Sequence, residues 1–168
     1  MSTRNRGFEI VADTHRTAYE VFIDEKKREH KFPKEITLPQ RSDAGSAGYD
    51  FYLPKELRLL PNQKEIVWTD VKAYMQNDEV LEIYIRSSLA IKQGLVLSNH
   101  VGIVDSSYYG NESNDGNIGI ALHNTSGVTV TLQEGERIAQ GIFKKYLVAD
   151  EEVATSTKRK GGMGSSGK

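Results

Sequence analysis

Residues 79–86 read EVLEIYIR, and their alternation places Leu81, Ile83 and Ile85 on one face of an extended strand. The same period of two returns in NIGIALH (117–123), with Ile118, Ile120 and Leu122, and in GVTVTL (127–132), with Val128, Val130 and Leu132. Shorter runs of this character are GFEIVAD (7–13), AYEVFI (18–23), GYDFYL (48–53) and KEIVW (64–68). Turn formers separate them: Pro54, Pro61-Asn62, Asn114-Asp115-Gly116, Ser126-Gly127 and Glu134-Gly135. Many short strands at this spacing predict an all-β sandwich, jelly roll or barrel. SSLAIKQG (87–94), with a serine to cap it and a glycine to end it, predicts one short helix. The charge run DEKKREHK (24–31) reads as a solvated loop or helix face.

The bulk properties bound the function. With 168 residues, 38% hydrophobic and 27% charged, the chain fits one globular domain. A net charge of −1 gives no overall pull toward nucleic acid or membrane, so neither is expected as a partner. The absence of cysteine excludes disulfides, thiolate metal sites and cysteine nucleophiles. There is no signal-peptide pattern and no apolar run near the ~20 residues of a membrane span, so a cytoplasmic location is expected. The end, TKRKGGMGSSGK (157–168), holds four glycines and four cations without a side-chain carboxylate. Such a segment buries little and suits an anion, since consecutive glycine amides form an anion-binding nest.

Polar residues that need a reason gather in four further places. AGSAGYDFYL (44–53) leads small residues into Tyr49 and Asp50. YIRSSLA (84–90) sets Arg86 at a strand end and Ser87 and Ser88 at a helix start, a suitable phosphate cradle, although plain helix capping explains the serines as well. SNHVGIVDSSYYGN (98–111) places Asp105 after an apolar strand, either as a general base aimed at water or as a turn cap, with Tyr108 three residues on. In GERIAQGIF (135–143), Gln140 lies between isoleucines and must find a hydrogen-bond partner, with Arg137 expected on the opposite face. His15, His30, His100 and His123 are scattered without metal-ligand spacing. No P-loop and no G-x-S-x-G elbow is present.

In this order the five segments resemble the five motifs of the homotrimeric dUTP pyrophosphatases (dUTPases): AGSAGYDFYL, RSSLA, GIVDSSYYGN, GERIAQGIF and GGMGSSGK, spanning residues 44 to 168. The resemblance implies a jelly-roll β fold of the β-clip type, with residues 1–157 as the domain and 158–168 as a flexible glycine-rich lid. It implies a homotrimer with sites between subunits, and hydrolysis of dUTP to dUMP and pyrophosphate. Mg²⁺ would be held by substrate phosphates and water, with no direct protein ligand. By position, Asp105 corresponds to the base that activates water, and Tyr108 to the ring under the deoxyribose. Asn99, Gly102, Ile103, Val104 and Gly119 correspond to the uracil pocket. Arg86, Ser87, Ser88 and Gln140 correspond to phosphate contacts, and Asp50 with Arg137 to a supporting ion pair. From the lid, Lys158, Arg159, Gly162, Met163, Gly164, Ser165 and Ser166 would close over the substrate.

The chain departs from the family pattern in places. Met163 stands where most family tails have a stacking phenylalanine, and Lys158 where they have arginine, with Arg159 one step later. Ser107 and Tyr109 replace the third motif's second aspartate and its arginine, and NESNDG (111–116) looks like an insertion. A dCTP-deaminase-like enzyme of the same superfold is a weaker alternative, because no glutamate stands beside GIVDSS. A regulatory module on a dUTPase scaffold is another, and retention of Asp105 argues against it as the sole function. A further protein partner is not legible.

Overall fold

Side chains alternate across a strand, so a run of period two can bury one face and expose the other. The computed structural model, which describes residues 4–151, turns these runs into fourteen strands and one helix. They are β1 (Gly7–Ile10), β2 (Tyr19–Ile23), β3 (Glu29–Pro33), β4 (Gln40–Arg41), β5 (Tyr49–Tyr52), β6 (Leu57–Leu59) and β7 (Lys64–Trp68). Next come β8 (Val71–Tyr74), β9 (Glu79–Ile85), α1 (Ser87–Gln93), β10 (Leu95–Leu97) and β11 (Gly102–Asp105). β12 (Gly119–Asn124), β13 (Val130–Leu132) and β14 (Arg137–Lys145) complete the strands among the described residues.

The result is an all-β jelly roll. A five-stranded sheet runs β11-β9-β14-β5-β4 and a three-stranded sheet runs β10-β12-β7. β1 pairs with β8, β13 with β6 and β2 with β3, and every pairing is antiparallel. One apolar cluster joins both larger sheets: Phe51, Leu81, Ile83 and Ile138 from one, Val67, Leu95, Ile120 and Leu122 from the other. Fully burying one such side chain contributes roughly 1.5–3 kcal/mol.

Several local expectations change. Val128 is exposed and precedes β13, so only Val130 and Leu132 of that run enter the core. Helix α1 is preceded by Arg86 as N-cap, without a side-chain capping bond, and Ser87 and Ser88 are already helical. The glycine stop does form: Gly94 takes the left-handed conformation at φ 67°. The charge run 24–31 is neither loop nor helix throughout. Asp24 accepts hydrogen bonds from the amides of Lys26 and Arg28, each at 2.9 Å, and this turn sends the chain back as β3. In β14 a register shift between Arg137 and Ala139 breaks the alternation, so Ile138 is buried while Arg137 reaches the same carboxylate that Gln140 sits across from.

Candidate functional site

Two clefts on the five-stranded sheet collect the residues singled out from the sequence. The first lies where β11 pairs with β9, beside the start of β12. Asn99, Gly102, Ile103, Val104, Tyr108 and Gly119 line it together with Ile83 and Ile118. It is an open cleft of about 490 Å³. Gly102 lies directly opposite Ile83, and a Cβ there would stand 3.0 Å from the Ile83 Cβ. A side chain there would press on Ile83 and force it to shift, whereas glycine leaves β11 close and its backbone bare beside the cleft. Backbone donors and acceptors beside one amide side chain suit a flat heterocycle with a polar edge.

Tyr108 closes one wall and is buried. Its hydroxyl donates to the Asn117 carbonyl at 2.8 Å and accepts from the Asn114 amide at 2.7 Å. Asp105 ends β11 immediately after Val104, where the strand gives way to a 3-10 turn over Ser106–Tyr108. It is exposed, and it makes no side-chain capping bond to that turn. The neighbouring Tyr109 points elsewhere: its hydroxyl donates to Glu9, and that carboxylate pushes its pKa up to about 12.

The second cleft opens between β5, β14 and the start of α1. Arg86, Ser87, Ser88 and Gln140 line it with Ser42, Ser46, Gly48 and Asp50, around an open space of about 700 Å³. An adjoining cleft shares Arg86 and Ser88 and adds Arg137. Asp50 is buried and uses both oxygens. One meets the Arg86 Nε at 3.4 Å, and the other meets the Arg137 Nη1 at 3.0 Å. Ser42 Oγ donates to the second oxygen at 3.0 Å. Two guanidiniums on one carboxylate leave an excess of one positive charge. Hydroxyls and an amide lie around that charge, a combination that suits phosphate.

The two clefts have no lining residue in common. β11 and β5 stand three strand spacings apart in the sheet, roughly 14 Å at ~4.8 Å each. The sequence reading missed Ser42, Ser46 and Gly48 in the second cleft, and Asn114 and Asn117 behind Tyr108. Ser42 lies just upstream of the quoted AGSAGYDFYL, and Gly48 within it passes for an ordinary turn glycine. Lys158, Arg159, Gly162, Met163, Gly164, Ser165 and Ser166 lie outside the described residues. Among the described residues no group of three or more histidine, aspartate or glutamate side chains could hold a metal ion. A magnesium ion that keeps its waters and rests on phosphate oxygens fits such a surface, since Mg²⁺ seldom uses an all-protein cage.

Comparison with known proteins points the same way. The dUTPase family model matches residues 34–167. The deoxyuridine 5′-triphosphate nucleotidohydrolase of Lactococcus lactis is 42% identical over 133 residues, covering 79% of this chain and 89% of that protein. The crystal structure of the dUTPase from Streptococcus mutans superposes with a TM-score of 0.69 at 39% identity, over 86% of this chain and 98% of that one. A point mutant of the dUTPase from Staphylococcus aureus phage phi11, whose structure reveals the coordination of a structural Mg(II) ion, shares the fold with a TM-score of 0.60 at 20% identity, over 82% of this chain and 97% of that one.

Proposed function

The chain belongs to the dUTPase family, and from that membership and the two clefts we propose how its residues divide the work of hydrolysing dUTP. It is a dUTP diphosphatase, as its relatives are named. Uracil enters the first cleft, where Asn99 and the backbone of Gly102, Ile103, Val104 and Gly119 meet its polar edge. Tyr108 lies under the deoxyribose. Arg86, Ser87, Ser88 and Gln140 hold the phosphate chain, and Asp50 with Arg137 and Ser42 keeps Arg86 in place.

Asp105 takes a proton from water as that water attacks the α-phosphorus. A phosphorus–oxygen bond forms to water, the bond between the α-phosphorus and its bridging oxygen breaks, and pyrophosphate leaves with the electron pair. The guanidinium and hydroxyl donors then meet the charge gathered on the leaving group. Bound Mg²⁺ would neutralise part of the phosphate charge and align the chain. One observation carries the assignment: the strand whose backbone lines the base cleft runs without a break into Asp105.

We propose a homotrimer with each site shared between subunits. The separated clefts support it, as do the exposed apolar residues Ile91, Ile103 and Leu147. The C-terminal residues 158–168 are proposed as a lid that senses the γ-phosphate. No helix among the described residues is long and apolar enough to cross a membrane, and a cytoplasmic enzyme is the reading we favour. Pyrophosphate release from dUTP, dCTP, UTP and dTTP, with and without Mg²⁺, tests the function. Preference for dUTP is expected, and equal rates on all four would overturn it.

A further inference from the structure

The side of Tyr108 that faces away from the cleft is held by a chain of buried polar groups whose far end lies outside the family match. Asp70, between β7 and β8, is fully buried with φ at 56°. Its carboxylate accepts from the Thr17 amide at 2.9 Å, the Thr17 hydroxyl at 2.7 Å, the Ala18 amide at 2.9 Å and the Arg16 Nε at 3.2 Å. It also accepts from the Asn117 amide at 3.0 Å, while the Asp70 backbone N–H donates to the Asn117 side-chain oxygen at 2.9 Å. Asn117 is 1% exposed and is thus clamped at both ends of its amide. Its backbone carbonyl accepts the Tyr108 hydroxyl, and Asn114 Nδ2 donates both to that hydroxyl at 2.7 Å and to the same carbonyl at 3.2 Å. Asn114 is fixed in turn, because its side-chain oxygen accepts from the Gly116 amide at 3.1 Å and from Asn111 Nδ2 at 2.7 Å.

A phenol has one proton to give. Here that proton goes to Asn117, and a lone pair faces a donor. The hydroxyl therefore has no proton to offer a ribose 2′-hydroxyl, and the ring cannot slide back because its end is pinned to a clamped backbone.

We propose that Asn114 and Asn117, the latter held by Asp70, are positioning residues that set the enzyme's preference for deoxyribose over ribose by fixing the Tyr108 ring and the direction of its hydroxyl proton. Through Asp70 the preference is tied to residues 16–18, which precede the matched span of 34–167. The proposal rests on the placement of the sugar against Tyr108.

Asn114→Asp tests it most directly, since it keeps the acceptor used by Gly116 and removes the donor aimed at Tyr108. Full-length wild type, Asn114→Asp, Thr17→Val and Tyr108→Ala are compared by kcat and KM for dUTP and UTP, with melting temperatures. In Asn114→Asp the dUTP-over-UTP preference should fall about tenfold, the loss of roughly one hydrogen-bond-sized discrimination, mainly through a lower KM for UTP. kcat for dUTP should stay within about twofold on the same grounds. Thr17→Val should relax the preference less, in the same direction. An unchanged preference in folded Asn114→Asp, or parallel losses on both substrates with a falling melting temperature, would overturn the proposal. Were Asn114→Asp not to fold, an unchanged preference in Thr17→Val would do so. Tyr108→Ala separates the two levels. If it keeps full preference, the sugar assignment itself fails; if it loses preference while the others keep it, only the positioning role fails.

Discussion

Gly48 and Gln140 approach each other so closely that a Cβ on Gly48 would lie 2.4 Å from the Gln140 side-chain oxygen and 3.1 Å from its Cβ. The glycine is what lets the glutamine lie in the phosphate cleft. Gly48→Ala should therefore fold, because the amide can swing away, but it should move Gln140 off the phosphates. We expect kcat/KM for dUTP to drop about tenfold, the worth of one hydrogen bond to a charged group. The double variant with Gln140→Ala should be no worse than Gln140→Ala alone, since both remove one interaction. Additive losses would show that Gly48 acts by another route.

Asp105→Asn keeps the shape of the side chain and removes its basicity. Positioned general bases typically contribute ~10²–10⁴-fold in rate, so turnover should fall by that order while a non-hydrolysable dUTP analogue still binds. Isothermal titration alongside the rate assay distinguishes the two effects. Retention of more than half the activity would reduce Asp105 to a turn residue.

How much of this was legible depends on how the information is stored. Ile118, Ile120 and Leu122 announce their strand because one face is buried and the other is not. β3 escapes notice because both of its faces meet water, which permits Glu29 and Lys31 where a core strand would not. The site motifs are legible by segment, but their division into two clefts follows from strand order, which no local pattern carries. The Asp70–Asn117 clamp joins residues 47 positions apart through side chains that look like ordinary turn formers. The bulge at Arg137 is equally silent, since neither residue beside it is a glycine.

Acid should loosen the start of β9. Glu79 is buried and accepts from Arg6 Nε at 3.0 Å and from the Gln76 amide at 3.1 Å, and the Arg6 hydrogen bonds hold its carboxyl below the usual 4.5. A folded-state pKa lower than the unfolded one means that the unfolded chain binds the proton more tightly. The stabilisation is complete above about pH 4.5 and is lost as pH falls from there through the folded-state value. Asp115, held low by Lys72, and Asp24 act in the same sense, so the comparison must be between variants. Glu79→Gln should be less stable than wild type near neutrality, and the gap should narrow on acidification. Denaturant melts from pH 7 to pH 3 measure it, and a constant gap would remove Glu79 from the acid response.

The C-terminal segment offers the sharpest division between folding and catalysis. Among the described residues the apolar cluster and the side chains packed on it run from Phe8 to Phe143, and residues 158 to 168 bring glycines, serines and cations with Met163 as their one large apolar side chain, so deleting them removes little that could be buried. Melting temperature should therefore be unchanged. Turnover of dUTP should fall at least about tenfold, because closing over the triphosphate is part of assembling the reactive geometry. Binding of dUMP, which lacks the γ-phosphate, should barely move. Lys158→Ala and Arg159→Ala, made separately, show which cation meets that phosphate: a lysine is a point charge, an arginine a two-pronged donor, and only one of them stands in register. Met163→Phe adds a ring able to cover uracil and should not lower activity. If the truncated enzyme hydrolyses dUTP at the full-length rate, the glycine-rich end has no part in the reaction and phosphate sensing must be sought in Arg86 and Gln140 alone.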